Sequence, residues 1–266
     1  MPFVLVSLVL IANRAVNRRR LAAYLEAAAF VAALGTTYVL ALGWPVDLVF
    51  SAKSKIVIAA VGGFAAGLAF CERARWAKTA IIALVIAMPL WIGLPALQQG
   101  RPESALLLLP IAIAFTLPFL IDVSVIGDAA PDNACSKTLI AMTMTFGLAM
   151  IALFAKTFSY AELALSLAST LLAAMTIGRK QLAAPALITI AAALLAMITA
   201  LLLYSQANLT AMLVLSIVIG AERLDRVACS ESDREPSLKR IAIFCALPAM
   251  TAILIARIDA GPFSIY

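Results

Sequence analysis

"LAAPALITIAAALLAMITALLLY", residues 182–204, decides how the rest of the chain is read. It carries no charge, and its polar side chains are Thr189, Thr199 and the terminal Tyr204. At about 1.5 Å per residue, a helix of this length reaches roughly 35 Å, enough to cross a hydrocarbon core of about 30 Å. Apolar residues fall on every face, and no period-two alternation runs through them. That pattern reads as a membrane-spanning helix and not as a barrel strand.

Working outward, comparable runs occur at 21–43, 54–71, 79–98, 104–122, 138–155, 160–177, 208–221 and 241–258. A shorter apolar stretch, Pro2–Ala12, opens the chain and is followed by the basic run "NRAVNRRR". A signal peptide would place its positive charge ahead of the apolar stretch, so this segment reads as a short uncleaved helix. The expected fold is therefore an all-α integral membrane protein, a bundle of about ten transmembrane helices, or nine if the first segment does not span. The connections are short, so residues 1–266 form a single transmembrane domain with no soluble domain. Composition agrees: the 266 residues are 64% hydrophobic and 13% charged, with mean hydropathy +1.06, against about a quarter charged in a soluble domain.

The net charge of +6 does not point to nucleic acid, because what matters in such a chain is where the basic residues sit. With "NRAVNRRR" placed in the cytoplasm and the helices alternating, fifteen of the 20 Lys and Arg fall on the cytoplasmic side. Lys53, Lys55, Arg101, Lys156 and Arg257 fall on the other. This asymmetry predicts a multi-pass protein of the cell (inner) membrane, with the polar stretch 222–240 in the cytoplasm. A weak internal repeat relates 1–98 to 160–258: "NRRRLAAYLEAAAF" echoes "GRKQLAAPALITI", and "ERARWAKTAIIALVIAMP" echoes "ERLDRVACSES…LKRIAIFCALP". Repeats of this kind are common among transporters.

The chain contains no His. That removes the usual haem ligand, the commonest zinc and copper ligand, and His-based relays and triads. Cys71, Cys135, Cys229 and Cys245 show no C-x-x-C spacing, so neither a metal site nor any other cofactor is expected. Every Lys and Arg lies in an expected loop or at a helix end, and Glu26, in "LAAYLEAAAF", is the one carboxyl well inside an apolar run. It either lines a cavity or reaches back toward Arg18–Arg20 and the headgroups.

Around it a candidate substrate path assembles from Glu26, Thr36, Thr37, Tyr38, Pro89 and Pro118. The hydroxyls can line a pocket or join helices, and the prolines free backbone carbonyls. Gly62, Gly63 and Gly67 form a small-residue face, with Gly63 and Gly67 at the G-xxx-G spacing that lets helices approach closely.

"AERLDRVACSESDREPSLKR", residues 221–240, mixes five acids with five bases and reads mainly as a solvated cytoplasmic tether. A second acidic loop carries Asp122, Asp128 and Asp132. Together with Glu222 and Asp225 they could hold Mg²⁺ against a diphosphate, though no established prenyltransferase motif is present. Three function classes follow. The first is a transporter or flippase of a small or lipid-linked substrate. The second is a non-catalytic structural or assembly subunit of a larger membrane complex. The third is a membrane-embedded enzyme acting on a lipid or prenyl diphosphate. The expected partners are the lipid bilayer and, for the second class, other membrane subunits; nucleic acid and haem are excluded.

Overall fold

Residues 182–204, the most apolar run in the sequence, become the helix around which the others are arranged. The fold comes from a computed structural model, which describes residues 7–9, 19–43, 51–72, 76–98, 133–177, 182–228 and 238–261, with Val4 and Pro110. Among these the protein is helical and contains no strand. The helices are α1 (Arg19–Leu42), α2 (Ala52–Cys71), α3 (Ala77–Gln98), α4 (Asn133–Phe154), α5 (Phe158–Ile177) and α6 (Ala184–Tyr204). They are followed by α7 (Leu209–Ser216), a 3-10 turn (Ile217–Gly220), α8 (Ala221–Ala228) and α9 (Leu238–Asp259).

Six of these helices, α1, α2, α4, α5, α6 and α9, are long and apolar enough to cross a membrane, which fits a membrane-embedded protein. The runs expected at 79–98 and 208–221 form helices with shorter apolar parts, Thr79–Pro95 and Leu209–Gly220. The run expected at 104–122 lies outside the described residues apart from Pro110, and of the first segment only Val4 and residues 7–9 are described.

Helix α6 is buried continuously from Pro185 to Leu202. It packs against α1, α2, α3, α4 and α5. The contrast with the periphery is large: 94% of the most apolar window of α6 is buried, against 28% for α9. The closest approach is to α2. A Cβ placed on Gly63 would lie 2.6 Å from Ala192 Cβ, and one on Gly67 would lie 2.7 Å from Pro185 Cα. The absence of side chains at these positions is what seats the two backbones together. Gly62 points elsewhere, toward Leu84 and Met88 of α3.

Pro185 sits in the first turn of α6, where a missing N–H removes no intrahelical bond. Buried threonines inside the bundle turn their hydroxyls back on their own helices. Thr189 donates to Pro185 O at 2.8 Å, Thr199 to Leu195 O at 2.8 Å, and Thr145 to Ala141 O at 2.9 Å. The interior around α6 is thereby apolar and internally satisfied.

Neighbouring helices run so that the start of α1, the end of α2, the start of α4, the start of α6 and the start of α9 share one end of the bundle. That end is called here the Glu26 end, and the opposite one the Lys55 end. Tyr24 Oη donating to Glu72 Oε1 at 2.5 Å ties α1 to α2 at the first. Lys55 Nζ donating to Trp91 O at 2.8 Å ties α2 to α3 at the second.

Candidate functional site

Among the described residues, four side chains of the Lys, Arg, Asp and Glu type are buried: Lys55 (2% exposed), Lys137 (5%), Glu222 (7%) and Asp225 (2%). Lys55 and Lys137 lie near the starts of α2 and α4, the helix ends at which the sequence puts such residues, but their side chains are buried there. The structure corrects the tether. Residues 221–228 form α8, not a solvated connector. Glu222 and Asp225, three residues apart, share its inner face, while Leu224 is exposed on the other side. Residues 229–237 lie outside the described residues.

The reason lies in what α8 meets. Ser136 Oγ, in the first turn of α4, donates to Glu222 Oε1. Arg240 Nε, in the first turn of α9, donates to Asp225 Oδ1 at 2.8 Å. Both carboxylates therefore face helix N-termini, whose unpaired N–H groups carry partial positive charge. Lys137 lies buried beside Ser136 in the same turn. A charge-assisted bond of this kind, with one carboxylate almost fully buried, holds more firmly than an exposed pair. Helix α8 reaches this position through the 3-10 turn Ile217–Gly220, which interrupts the run from α7. A 3-10 stretch within a helical run often marks a hinge.

The path residues expected from sequence are placed as follows. Glu26 is half-buried, and its Oε2 accepts the N–H of Ala183 at 3.3 Å. Ala183 is the N-cap of α6 and offers no side-chain cap of its own. Glu26 therefore supplies from α1 the negative charge that the start of α6 lacks. Thr37 Oγ1 donates to Ala33 O at 2.9 Å and lies 2.6 Å from Ser166 Oγ, which links α1 to α5. Thr36 is half-buried and Tyr38 buried. Pro89 is buried inside α3. Pro118, with Asp122, Asp128 and Asp132, lies outside the described residues. The structure brings Glu26 and Thr37 into helix contacts on α6 and α5.

Sequence reasoning did not connect Lys55 with Pro95. Pro95 has no N–H, so the carbonyl four residues earlier, Trp91 O, loses its helical donor. Lys55 donates to that same carbonyl, with its ammonium 5.1 Å from the Trp91 ring centroid. Tyr204 Oη donates to the next carbonyl, Ile92 O, at 2.6 Å. The carbonyl freed by the proline is closed by Lys55, and the tyrosine bonds the carbonyl beside it. The signal was present in the sequence as a proline inside an apolar run, but its partners lie 40 and 109 positions away.

Among the described residues no group of three or more His, Cys, Asp or Glu is placed to hold a metal ion. No protein-family model, curated protein or solved structure matches the chain.

Proposed function

We propose that the protein is a membrane transporter of a small or lipid-linked polar substrate, and that α8 closes one mouth of its path. The observation that carries this reading is α8 itself. A short helix after an interrupted run turns two carboxylates inward, and two polar links fasten it to the first turns of α4 and α9. Buried ionisable groups are costly in a membrane protein and tend to be kept for function, and interrupted helices recur at transporter sites. Breaking two discrete links frees a lever of eight residues hinged at the 3-10 turn.

The reading extends to about ten spans in a cell (inner) membrane, with the Glu26 end in the cytoplasm. The basic-residue split of the sequence supports that orientation. The experiment is charge movement on solid-supported proteoliposomes, screened against amino acids, carboxylates, polyamines and sugar phosphates, beside a fluorescent-lipid flipping assay. Transient current or lipid flipping that changes in Glu222→Gln supports the reading. Folded protein inactive in every assay counts against it.

A second reading, a non-catalytic subunit of a larger membrane complex, is favoured by the dry packing around α6. It is also favoured by the stripe Ile243, Leu247, Met250, Leu254 and Ile258 on α9, exposed by 57% to 71%. Mild-detergent extraction and native mass measurement separate the two, since a stoichiometric partner protein supports the subunit.

A further inference from the structure

At the Lys55 end, a cavity of about 190 Å³ opens between the end of α4, the α6–α7 connection and the end of α9. Its floor is apolar, made by Ile151, Phe154 and Ala256. Its rim is polar, and the rim residues are Lys156, Gln206, Asn208 and Asp259. Lys156 and Asp259 carry opposite charges, yet their side chains do not pair with each other, and neither side chain makes a hydrogen bond or ion pair with another described residue. Gln206 likewise has no hydrogen-bond partner among the described residues. Asn208 Oδ1 accepts the N–H of Ala211 at 2.9 Å to cap α7, which leaves its NH₂ for the cavity.

Lys156 stands where a glycine would be easier. Its φ is +58°, and the bonds Thr157 N–H to Ala152 O and Lys156 N–H to Leu153 O close α4 in a Schellman cap. Glycine is usual at that position. Here it holds an ammonium at the cavity rim.

We infer that this cavity is a binding site for a small zwitterion, with its anionic group at Lys156 and its ammonium at Asp259. Two opposite charges on one rim, not paired with each other or with another described side chain, match a ligand carrying both charges a few bonds apart. The side-chain amides of Gln206 and Asn208 donate to the anionic oxygens. The volume lies below the several hundred Å³ typical of drug-sized pockets, which limits the ligand to a few heavy atoms. Free α-amino acids and the phosphoethanolamine headgroup of a lipid share this chemistry. The inference goes beyond the transport reading, because binding at the mouth needs no transport.

The test is equilibrium binding to the full chain in nanodiscs of phosphatidylglycerol alone, so that no zwitterionic lipid competes. The probes are L-alanine and glycerophosphoethanolamine. L-alanine methyl ester and N-acetyl-L-alanine, each lacking one charge, are the controls. The expected result is saturable binding of at least one zwitterion, weakened tenfold or more in Lys156→Gly and in Asp259→Asn, with the controls weaker than L-alanine. L-alanine binding identifies a free amino acid, and glycerophosphoethanolamine binding a lipid headgroup. Both variants change exposed side chains, and Lys156→Gly relieves its own backbone, so loss of the fold does not obscure the result. No binding of either zwitterion, equal binding of the singly charged controls, or unchanged binding in both variants overturns the assignment.

Discussion

Replacing Gly63 with alanine tests the close packing of α2 against α6. The added Cβ would sit 2.6 Å from Ala192 Cβ and 3.0 Å from both Ile188 O and Thr189 Cα. Carbon atoms pack best at about 3.5–4.0 Å, so the shortfall is about 1 Å. The atoms met are backbone and Cβ, which have no rotamer to escape into, so α2 must back away from α6. A gap of roughly 0.5–1 Å forfeits a quarter to a half of each contact's attraction along the interface.

Overpacking of this kind costs about 1–3 kcal/mol, and alanine's better helix propensity returns at most about 1 kcal/mol. The expected net loss is roughly 1–2 kcal/mol. Gly67→Ala, facing Pro185 Cα at 2.7 Å, falls in the same range. Two controls sit nearby. Gly62 would meet the mobile tip of Leu84 at 3.1 Å, and Gly35 has nothing within 4 Å. Gly62→Ala should be close to neutral, and Gly35→Ala should gain up to about 1 kcal/mol. The assay is equilibrium unfolding of the detergent-solubilised protein by SDS, with thermal midpoints as a cross-check. If Gly63→Ala proves as stable as Gly35→Ala, the close approach of α2 and α6 is wrong.

Lys55→Met should leave the Trp91 carbonyl without a donor, at about 1–3 kcal/mol, offset in part because a buried charge goes with it. Pro95→Ala restores that carbonyl's own N–H donor, so the double variant should recover most of the loss; strictly additive effects in the cycle would show that the two residues do not act on the same carbonyl. Arg240→Ala strips the buried Asp225 of its arginine partner and should cost about 1–3 kcal/mol, discounted for the partial exposure of the arginine. Arg240→Ala with Asp225→Asn should be milder than Arg240→Ala alone, and thermal midpoints of the three variants decide it. Lys156→Gly should stabilise by about 1 kcal/mol, since a non-glycine residue at φ +58° is disfavoured by that order; a lower midpoint would mean that the lysine side chain contributes more to the fold than its backbone costs.

The helices were legible because their signal is local. An apolar run either is or is not long enough, and the small-residue spacing puts Gly63 and Gly67 on one face whatever that face meets. The roles of polar residues were not legible, because each depends on a partner distant in sequence. Glu26 reads as a lone carboxyl until α6 brings Ala183, 157 residues on, to its side. Glu222 and Asp225 read as part of a solvated stretch because their neighbours in sequence are bases. Their burial is imposed by the first turns of α4 and α9. One local hint existed: the two acids lie three apart, at helical spacing, with a leucine between them and only Gly220 and Ala221 separating them from the apolar run. Lys55 read as an ordinary helix-end lysine for the same reason that it works as a donor, since a long stem carries its charge to a carbonyl of the next helix.

Helix α6 is the most apolar segment in the chain and is buried almost throughout the described bundle. Its hydrophobicity therefore serves its entry into the bilayer more than its final surroundings, where fit against α1–α5 matters and lipid tails would solvate it equally well. During synthesis α1–α5 emerge before it, so their native arrangement has to wait around a vacant axis. Pairs such as α4 with α5 and α1 with α2 can form without it, but a ribosome stalled before residue 184 would leave α1–α5 without the one helix that all of them touch.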